Sequence, residues 1–346
     1  MSAALTSSRL RFESLEEYED HLETNAAGDG LPTVPPTPER VQRSLDFLGR
    51  NPAEVVAVLP PSRGIATVEK VVINAVMAGA RPEAMPLVIA AVDACADPAL
   101  NLETLQVTSN PATTLIVVNG PARISAGINS AGNSFAQGGA NLAVGRAVRL
   151  VLANIGGARP YVNDMACQGF PGKLAFCFGE NEEASPWDPW HVERGLPAGM
   201  GAVTVVGSQG TSNIAVHGRG DARDVMLALT NGMINPGANN FCTGGGEPMI
   251  VLNPGHAGAL ERGGIGKDAF REYVFENARV PLDWYSAAAI EARHLEKRSV
   301  DGRVLIADDP GDIIVIVSGA PGTHSTFIPS YGDTKAITRA VSSVER

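Results

Sequence analysis

The sequence predicts an α/β fold with mainly parallel sheets flanked by helices, arranged in two lobes with the functional site between them. The first observation is a series of short, continuous apolar runs, such as 115–118 and 249–252, which are typical of strands buried on both faces of a parallel sheet. The second is that these runs alternate with segments in which apolar residues recur at helical spacing. The third is a content of 38 glycines with only 5% aromatic residues, which suits tight loops between short strands. A length of 346 residues is typical of about two domains.

Helices are predicted where apolar residues recur every three or four positions and where capping residues mark the ends. Thr37 before Pro38 marks the start of one helix, Gly49 marks its end, and Asp221 caps a later one. The predicted helices span 13–23, 38–48, 68–76, 82–96, 142–154, a segment from 222 onward, 267–278, 283–297 and 335–344. The predicted strands are the apolar runs 55–59, 115–118, 202–206, 249–252 and 313–317, and each ends at a turn that contains Gly or Pro.

These elements divide the chain into three predicted segments. Residues 1–30 form an acidic N-terminal arm that packs on the body of the protein or on a second subunit. Residues 31–160 form the first α/β lobe, and residues 161–346 form the second lobe with an acidic stretch near its start. Because ligands of parallel sheets bind beyond the carboxyl ends of the strands, we expect the site in the loops that follow strands.

Composition limits the classes of partner. A net charge of −10 argues against a nucleic-acid partner, because binding to phosphate backbones requires clustered Lys and Arg. The chain contains no apolar run of about 18 residues that would cross a membrane, and its first residues lack the apolar core of a signal peptide. With four cysteines in no paired spacing, we expect a reduced cytoplasmic location. The expected partners are a small-molecule substrate and further copies of the chain in a homo-oligomer.

The most informative segment is the acidic stretch 167–193, which combines two cysteines, five acidic residues, two tryptophans and a histidine. Carboxyl groups beside apolar side chains such as Phe178 and Trp187 are the ingredients of perturbed pKa values. We predict that this stretch lines a cleft. In it, Glu182 and Glu183 take part in acid–base chemistry or bind a metal ion, and Trp187 contacts the substrate.

Two histidines follow predicted strands through turns rich in Gly and Pro: His256 after 249–252 and His324 after 313–317. If both strands belong to one parallel sheet, the two imidazoles meet at the same edge. Histidine is the most frequent general base and metal ligand. We therefore predict that His256 and His324 are catalytic, and that they bind a divalent metal ion together with Glu182 and Glu183.

Polar and cationic residues of the loops are predicted to bind the substrate. Asn119 follows the strand 115–118, and Arg123 and Asn129 lie in a loop rich in Gly, Asn and Ser before the helix 142–154. Lys173 lies in the acidic stretch. An arginine or lysine in such a place holds a carboxylate or a phosphate. The loop 129–139 leads towards a helix N-terminus, which suits an anion.

The leading functional hypothesis is an enzyme that hydrolyses or eliminates a bond in a small polar metabolite by acid–base or metal-assisted chemistry. The first alternative is a cysteine-nucleophile hydrolase that uses Cys177 or Cys242, the second of which precedes a Gly-rich turn. The second alternative is a non-catalytic subunit that binds a small molecule within a larger complex.

Four segments carry a resemblance to a known family: GLPTVPPTPERV (30–41), ATVEKVVINAVMAGARPEAMPLVIAAVDA (66–94), FGENEEASPW (178–187) and SGAPGTHS (318–325). They resemble segments of the proteins associated with UGSC-type selenoproteins. The Sec/Cys-Gly-Ser-Cys motif that gives this family its name is absent, because none of the four cysteines is followed by Gly-Ser-Cys. A redox role of that motif therefore does not carry over. The resemblance implies only that the matching segments act as one unit.

Overall fold

A computed structural model of the protein describes residues 5–136 and 139–342. They form a mixed α/β protein with 41% helix and 17% strand, in which the strands make several small sheets. The predicted α/β class is therefore confirmed.

The helices and strands have the following bounds. The α-helices are α1 (Leu15–Thr24), α2 (Pro38–Leu48), α3 (Val68–Met77), α4 (Met85–Cys95), α5 (Leu102–Val107), α6 (Pro121–Ser125), α7 (Gly139–Asn154), α8 (Trp190–Glu193), α9 (Ala222–Gly232), α10 (Asn239–Cys242), α11 (Pro254–Arg262), α12 (Lys267–Asn277) and α13 (Ala287–Arg293). The strands are β1 (Val55–Leu59), β2 (Gly64–Thr67), β3 (Thr113–Asn119), β4 (Cys177–Gly179), β5 (Ala202–Ser208), β6 (Ser212–Ala215), β7 (Met249–Leu252), β8 (Val280–Pro281), β9 (Ser299–Val300), β10 (Arg303–Val304), β11 (Ile314–Val317), β12 (His324–Ile328) and β13 (Ile337–Ala340). Short 3-10 helices lie at Pro82–Ala84, Pro98–Leu100, Pro171–Lys173, Glu182–Ala184, Leu282–Trp284, Leu295–Arg298 and Pro310–Asp312.

Local sequence signals explain several of these ends. The side chain of Asp221 accepts the N–H of Asp224 and so caps α9, and Gly49 ends α2 with a left-handed φ of 63°. The predicted helix 283–297 is interrupted, because His294 adopts a left-handed φ of 50° directly after α13. The predicted C-terminal helix 335–344 is wrong. Its residues 337–340 form β13, which pairs antiparallel with β5, and its residues 343 and 344 lie outside the described part of the chain.

Two four-stranded sheets form the centre of the protein, with strand orders β13-β5-β3-β4 and β11-β7-β12-β6. In each sheet one pair is parallel, β3–β4 in the first and β7–β11 in the second. The other pairs of both sheets are antiparallel. The prediction of mainly parallel sheets is therefore wrong.

The two sheets lie face to face, and helices cover the outer face of each. On β3, Leu115 belongs to the core between the sheets, whereas its neighbour Ile116 belongs to the core cluster that contains residues of α2, α3, α4 and α7. On β7, Met249 faces the first sheet, whereas Ile250 packs among α9, α11 and α12. The order of layers is thus helices, sheet, sheet, helices, and β3, β5, β7 and β11 are buried on both faces although most strand pairs are antiparallel.

The predicted buried strand 55–59 is β1, but it lies outside the two central sheets. It pairs antiparallel with β2 in a two-stranded sheet. Ala57 and Leu59 pack into the helical core, whereas Val55 and Val58 are about half exposed. Only one face of this strand is therefore buried.

The predicted boundary at residue 160 does not separate the sheets. Strands β5 and β13 come from the predicted second lobe, and they pair in one sheet with β3 of the predicted first lobe. The two-lobe arrangement is therefore not confirmed.

The described part of the N-terminal arm packs on the body of the same chain. The buried carboxylate of Glu69 accepts hydrogen bonds from the backbone N–H groups of Thr6 and Ser7. Further along, Arg146 of α7 forms a two-pronged ion pair with Asp29 at 2.7 and 2.8 Å. These contacts tie both ends of the arm to the helical layer of the first sheet.

Among the described helices, none is by itself long and apolar enough to cross a membrane. One pair, Pro82–Cys95 and Pro98–Val107, meets the requirement together by length and composition, across a bend of 76°.

The ends of the two sheets are joined near the parallel pairs. The hydroxyl of Ser318, directly after β11, donates to the carbonyl oxygen of Gly179 at the end of β4 over 2.9 Å. The backbone N–H of Asn181 donates to the carbonyl oxygen of Val317 over 2.7 Å. The carboxyl ends of β3, β4, β7 and β11 therefore lie at one end of the molecule, and the loops that follow them meet there.

Candidate functional site

The turn after β3 provides the frame of the candidate site. β3 ends at Asn119, and Gly120 follows with a φ of 68°, a conformation that favours glycine. A Cβ atom at position 120 would lie 2.2 Å from the carbonyl oxygen of Met200. The turn directs the backbone N–H of Gly120 to Oε1 of Glu182 over 2.6 Å. Glycine is therefore required here both by the backbone conformation and by the space available.

Glu180 lies at the same end, directly after β4, and is fully buried. Its Oε2 accepts hydrogen bonds from Nδ2 of Asn119 at 2.6 Å and from the backbone N–H of Trp190 at 2.8 Å. Burial raises the pKa of Glu180 to about 7, against the opposing influence of the Lys267 ammonium and these two N–H donors. A carboxyl group with this pKa exchanges its proton at neutral pH.

Asn119 connects Glu180 to a second carboxyl group. Its Nδ2 also donates to Oε1 of Glu182 over 3.1 Å, so one amide bridges two glutamates. Nδ1 of the fully buried His191 lies 4.0 Å from the same oxygen of Glu182. The side chain of Glu182 is 17% exposed, and hydrogen bonds within the described residues reach only its Oε1. Glu182 thus links the buried groups to the surface.

The short helix α8 places His191, and charged side chains of α12 fix that helix. The ammonium of Lys267 donates to the carbonyl oxygen of Asp188 over 3.0 Å and pairs with the carboxylate of Glu193. Arg271 also pairs with Glu193, at 2.5 Å. Because two cations of α12 pair with Glu193, the last residue of α8, the short helix that carries His191 is attached to α12.

Several buried polar atoms of this group have no hydrogen-bond partner within the described residues. They are Oδ1 of Asn119, Oε1 of Glu180, Nε1 of Trp190 and both ring nitrogens of His191. Each such atom costs about 1–3 kcal/mol, and buried polar groups are otherwise nearly always paired. We name Asn119, Glu180, Glu182, Trp190 and His191 the Glu180 cluster. Because five of these atoms lie in one group of neighbouring residues, we take this cluster as the candidate site.

The two predicted catalytic histidines lie together at the end of the second sheet. Their strands are involved as the sequence suggested, because β7 and β11 are parallel neighbours. Nδ2 of Asn253 contacts Nδ1 of His256 at 2.9 Å and the carbonyl oxygen of His324 at 2.8 Å. Nδ1 of His256 also meets Oγ of Ser325 at 2.7 Å. Burial, together with the nearby His324, lowers the pKa of His256, whereas His324 itself is exposed.

The four predicted metal ligands do not form one cluster. Glu182 contacts the Asn119–Gly120 turn, Glu183 pairs with Arg123, and the two histidines contact Asn253 and Asn213. Within residues 5–136 and 139–342, no three His, Cys, Asp or Glu side chains are placed to hold a metal ion. A divalent metal ion is untested and stays a prediction.

Two predicted substrate-binding residues besides Asn119 lie next to the Glu180 cluster. Arg123 of α6 is buried, and its guanidinium pairs with Glu183. Asn129 holds its loop in place, because its N–H donates to Oδ1 of Asn141 over 2.7 Å and its carbonyl oxygen accepts the N–H of Gly179 over 3.1 Å. Residues 137 and 138 of the predicted anion-binding loop lie outside the described part of the chain.

The other two predicted substrate-binding residues have different neighbours. Lys173 pairs with the buried Asp164 at 2.8 Å, and Arg149 pairs with the same carboxylate at 3.1 Å. Nε1 of Trp187 donates to Glu261 of α11 over 2.9 Å. Both contacts connect segments of the chain, and neither places its side chain in the Glu180 cluster.

The cysteines proposed as nucleophiles are in unfavourable surroundings for a thiolate. Cys177 is fully buried on β4, and burial raises the pKa of its thiol far above the usual range. Cys242 is half-buried, its Sγ lies 2.9 Å from the carbonyl oxygen of Pro236, and burial raises the pKa of this thiol as well. The geometry therefore argues against the cysteine-nucleophile alternative.

The site residues predicted from the sequence include Glu182 and Glu183 but not Glu180, Trp190 or His191, although all three lie in the acidic stretch. One available signal was strand alternation, because Glu180 is two positions after Phe178 and so falls on the same face as that buried ring. His191 carried no comparable signal. Its position depends on the contacts of α8 with α12, which are remote in sequence.

Comparison of the chain with protein-family models, curated proteins and solved structures found no match. The resemblance to proteins associated with UGSC-type selenoproteins is untested by these comparisons and stays a prediction.

Proposed function

We propose that this protein is an enzyme that hydrolyses or eliminates a bond in a small polar metabolite by acid–base chemistry at the Glu180 cluster. The observation that carries the proposal is the bridge that Asn119 makes between two carboxyl groups in unlike surroundings. Glu180 is fully buried with a pKa of about 7, whereas Glu182 is partly exposed. Pairs of carboxyl groups whose environments separate their proton affinities are a recurring arrangement for an acid and a base.

In this proposal Glu182 is the catalytic base. Its Oε1 is held by the N–H of Gly120 and the amide of Asn119, which orients the carboxylate and leaves Oε2 for the substrate. In a hydrolysis Oε2 takes a proton from water as the water oxygen bonds to the substrate, and Glu182 returns this proton to the leaving group as its bond breaks. In an elimination Oε2 takes the proton from the substrate carbon and passes it to the leaving group that departs from the adjacent carbon. Positioned acid–base groups contribute about 10²–10⁴-fold to rate.

Glu180 is a positioning residue that acts through Asn119. Burial, with a smaller contribution from the charge of Glu182, disfavours ionisation of Glu180 and raises its pKa to about 7. Protonation of Glu180 removes one negative charge from the buried end of this hydrogen-bonded group. His191, 4.0 Å from Glu182, is within reach of the same proton after a small movement.

The test compares the wild type with Glu182→Gln and, as a matched control, Glu272→Gln on the exposed side of α12. Each purified protein is incubated with a panel of small amides, esters and hydroxy acids, and products are measured by mass spectrometry. We expect at least one compound to be turned over by the wild type and by Glu272→Gln. Glu182→Gln should lose about 10²–10⁴-fold of that rate without a change in melting temperature.

Two results would overturn the proposal. If Glu182→Gln kept its turnover, Glu182 would not be the catalytic base. A panel without any turnover, combined with binding of one of its members, would favour the non-catalytic binding subunit instead.

A further inference from the structure

The guanidinium of Arg123 is buried next to the proposed base. Its side chain is 6% exposed, and its stem passes over Gly179, where a Cβ atom would lie 2.7 Å from Cδ of Arg123. Nη1 donates to the buried hydroxyl of Ser130 over 2.9 Å. A guanidinium cannot lose its proton in a protein, so this buried cation requires an anion.

The anion that pairs with the Arg123 guanidinium lies on the surface. Nη2 of Arg123 donates to Oε1 of Glu183, whose side chain is 64% exposed. An ion pair with so exposed a member contributes little to stability, typically about 0–1 kcal/mol. A buried cation covered by a solvated carboxylate is therefore a pairing that another carboxylate can replace.

The pairing also leaves hydrogen-bonding capacity unused. Within the described residues, Nε of Arg123 is buried and has no partner. Nε and Nη2 lie on the same edge of the guanidinium plane, the edge that binds a carboxylate through two parallel hydrogen bonds. Glu183 occupies one of these two donors. A carboxylate that reached both would be bound more strongly than Glu183.

The position of this edge relates it to the proposed reaction. The backbone N–H of Arg123 donates to the carbonyl oxygen of Gly120, and the N–H of Gly120 donates to Glu182. Glu183 follows Glu182 directly in the chain. A carboxylate that replaced Glu183 on Arg123 would therefore lie beside the proposed base.

We propose that Arg123 binds a carboxylate group of the substrate through Nε and Nη2, and that Glu183 occupies this position until the substrate displaces it. The substrate class is thus a small carboxylic acid. The inference rests on the proposed function only in naming the ligand a substrate, because the anion site itself is defined by Arg123, Ser130 and Glu183.

The experiment measures binding of malonate to the full chain by isothermal titration calorimetry, without turnover. Malonamide serves as the neutral analogue and sulfate as a non-carboxylate anion. The variants are Glu183→Gln, Arg123→Gln and Arg123→Lys, with the exposed Glu272→Gln as control. Removing the internal competitor should tighten malonate binding in Glu183→Gln by about tenfold, and Glu272→Gln should bind as the wild type does.

Arg123→Gln should lose malonate binding, and Arg123→Lys should weaken it because an ammonium has no two-donor edge. If Arg123→Gln fails to fold, the gain of affinity in Glu183→Gln still decides the question. The proposal is overturned if Glu183→Gln binds malonate no more tightly than the wild type. It is equally overturned if malonamide or sulfate binds as tightly as malonate.

Glu182→Gln separates this inference from the proposed function. It should bind malonate at least as tightly as the wild type does, because it keeps Arg123 and Glu183 and removes a negative charge beside the bound anion. A Glu182→Gln variant that keeps its turnover would refute the catalytic proposal while the affinity changes at positions 123 and 183 would still support the anion site.

Discussion

The side-chain amide of Asn119 donates a 2.6 Å hydrogen bond to Oε2 of Glu180, and both residues are fully buried. A glutamine at position 180 keeps the accepting oxygen and loses only the ability to ionise. This relationship makes Glu180→Gln a clean probe of the charge of the buried carboxyl group.

Glu180→Gln should be more stable than the wild type at high pH, and this difference in the free energy of unfolding should grow as pH rises. Burial raises the pKa of Glu180 from the usual 4.5 to about 7, so between these values the folded state keeps a proton that the unfolded state releases. The wild type therefore loses free energy of unfolding as pH rises through this window, by up to about 1.4 kcal/mol per pH unit. The glutamine variant has no such loss.

Urea unfolding at pH 5 and pH 8 measures this difference. We expect similar stabilities at pH 5 and a variant that is more stable at pH 8, with an upper bound on the order of 3 kcal/mol. The exposed control Glu272→Gln should show no pH-dependent difference from the wild type. A Glu180→Gln effect of equal size at both pH values would contradict the raised pKa.

Gly120→Ala should be far more damaging than Gly127→Ala, although the two glycines flank the same short helix α6. Both have left-handed φ angles, 68° and 70°. An added Cβ would lie 2.2 Å from the carbonyl oxygen of Met200 at position 120, whereas no atom lies within 4 Å at position 127. We expect both variants to lose about 1 kcal/mol for the backbone conformation, and Gly120→Ala to lose about 1–3 kcal/mol more.

Chemical unfolding of the two variants tests this expectation. Gly120→Ala should also lose any turnover that depends on Glu182, because its N–H holds Oε1 of that residue. Equal destabilisation by the two substitutions would show that the backbone at Met200 moves to accept the new Cβ atom. The turn at Gly120 would then be less rigid than the structure indicates.

His256→Ala and His324→Ala should differ in their effect on stability. His256 is buried and hydrogen-bonded to Asn253 and Ser325, so its removal takes away two buried hydrogen bonds. We expect a loss of about 1–3 kcal/mol. His324 is exposed, and its removal should change the free energy of unfolding by less than about 0.5 kcal/mol. Thermal unfolding of both variants measures these changes. A larger loss of stability for His324→Ala than for His256→Ala would contradict the observed burial.

The four thiols should react in an order set by burial. All four are free, with Cys167 exposed, Cys242 half-buried, and Cys95 and Cys177 buried. Burial raises the pKa of Cys95 to about 12 and that of Cys177 still further. In the native protein a thiol-specific dye should label Cys167 first and leave the buried pair unlabelled, and unfolding without reductant should expose four thiols. A count below four, or early labelling of Cys177, would be incompatible with this structure.

Much of the fold was predictable because its signals are local. The cap at Asp221, the glycine that ends α2 and the spacing of apolar residues in α3 and α7 each depend on residues within one or two turns. The strands β3, β5, β7 and β11 were visible as continuous apolar runs for the same reason. Strand direction was not visible, because such a run shows only that both faces are buried. Here the second face is covered by another sheet.

The candidate site was predictable only in part. The acidic stretch, Asn119 and Arg123 were recognised from residue type and from their position after strands. The burial of Glu180 and the place of His191 were not, because they depend on contacts between segments far apart in the chain. The hydrogen bond between Asn119 and Glu180 spans 61 positions, and the ion pair of Lys267 with Glu193 spans 74.

By itself, then, the sequence determined most of the helices, the apolar runs of the central strands, and the stretch that carries the acidic and polar side chains, since each of these follows from neighbouring residues. The tertiary structure alone decided how the strands pair and which of three similar glutamates is enclosed. Glu180, Glu182 and Glu183 are chemically identical and nearly adjacent, yet one is fully buried, one is partly exposed and one is largely solvated. The difference arises because the free energy of a charge depends on the solvent and partners around it, and in this protein those partners are supplied by β3, α6 and α12.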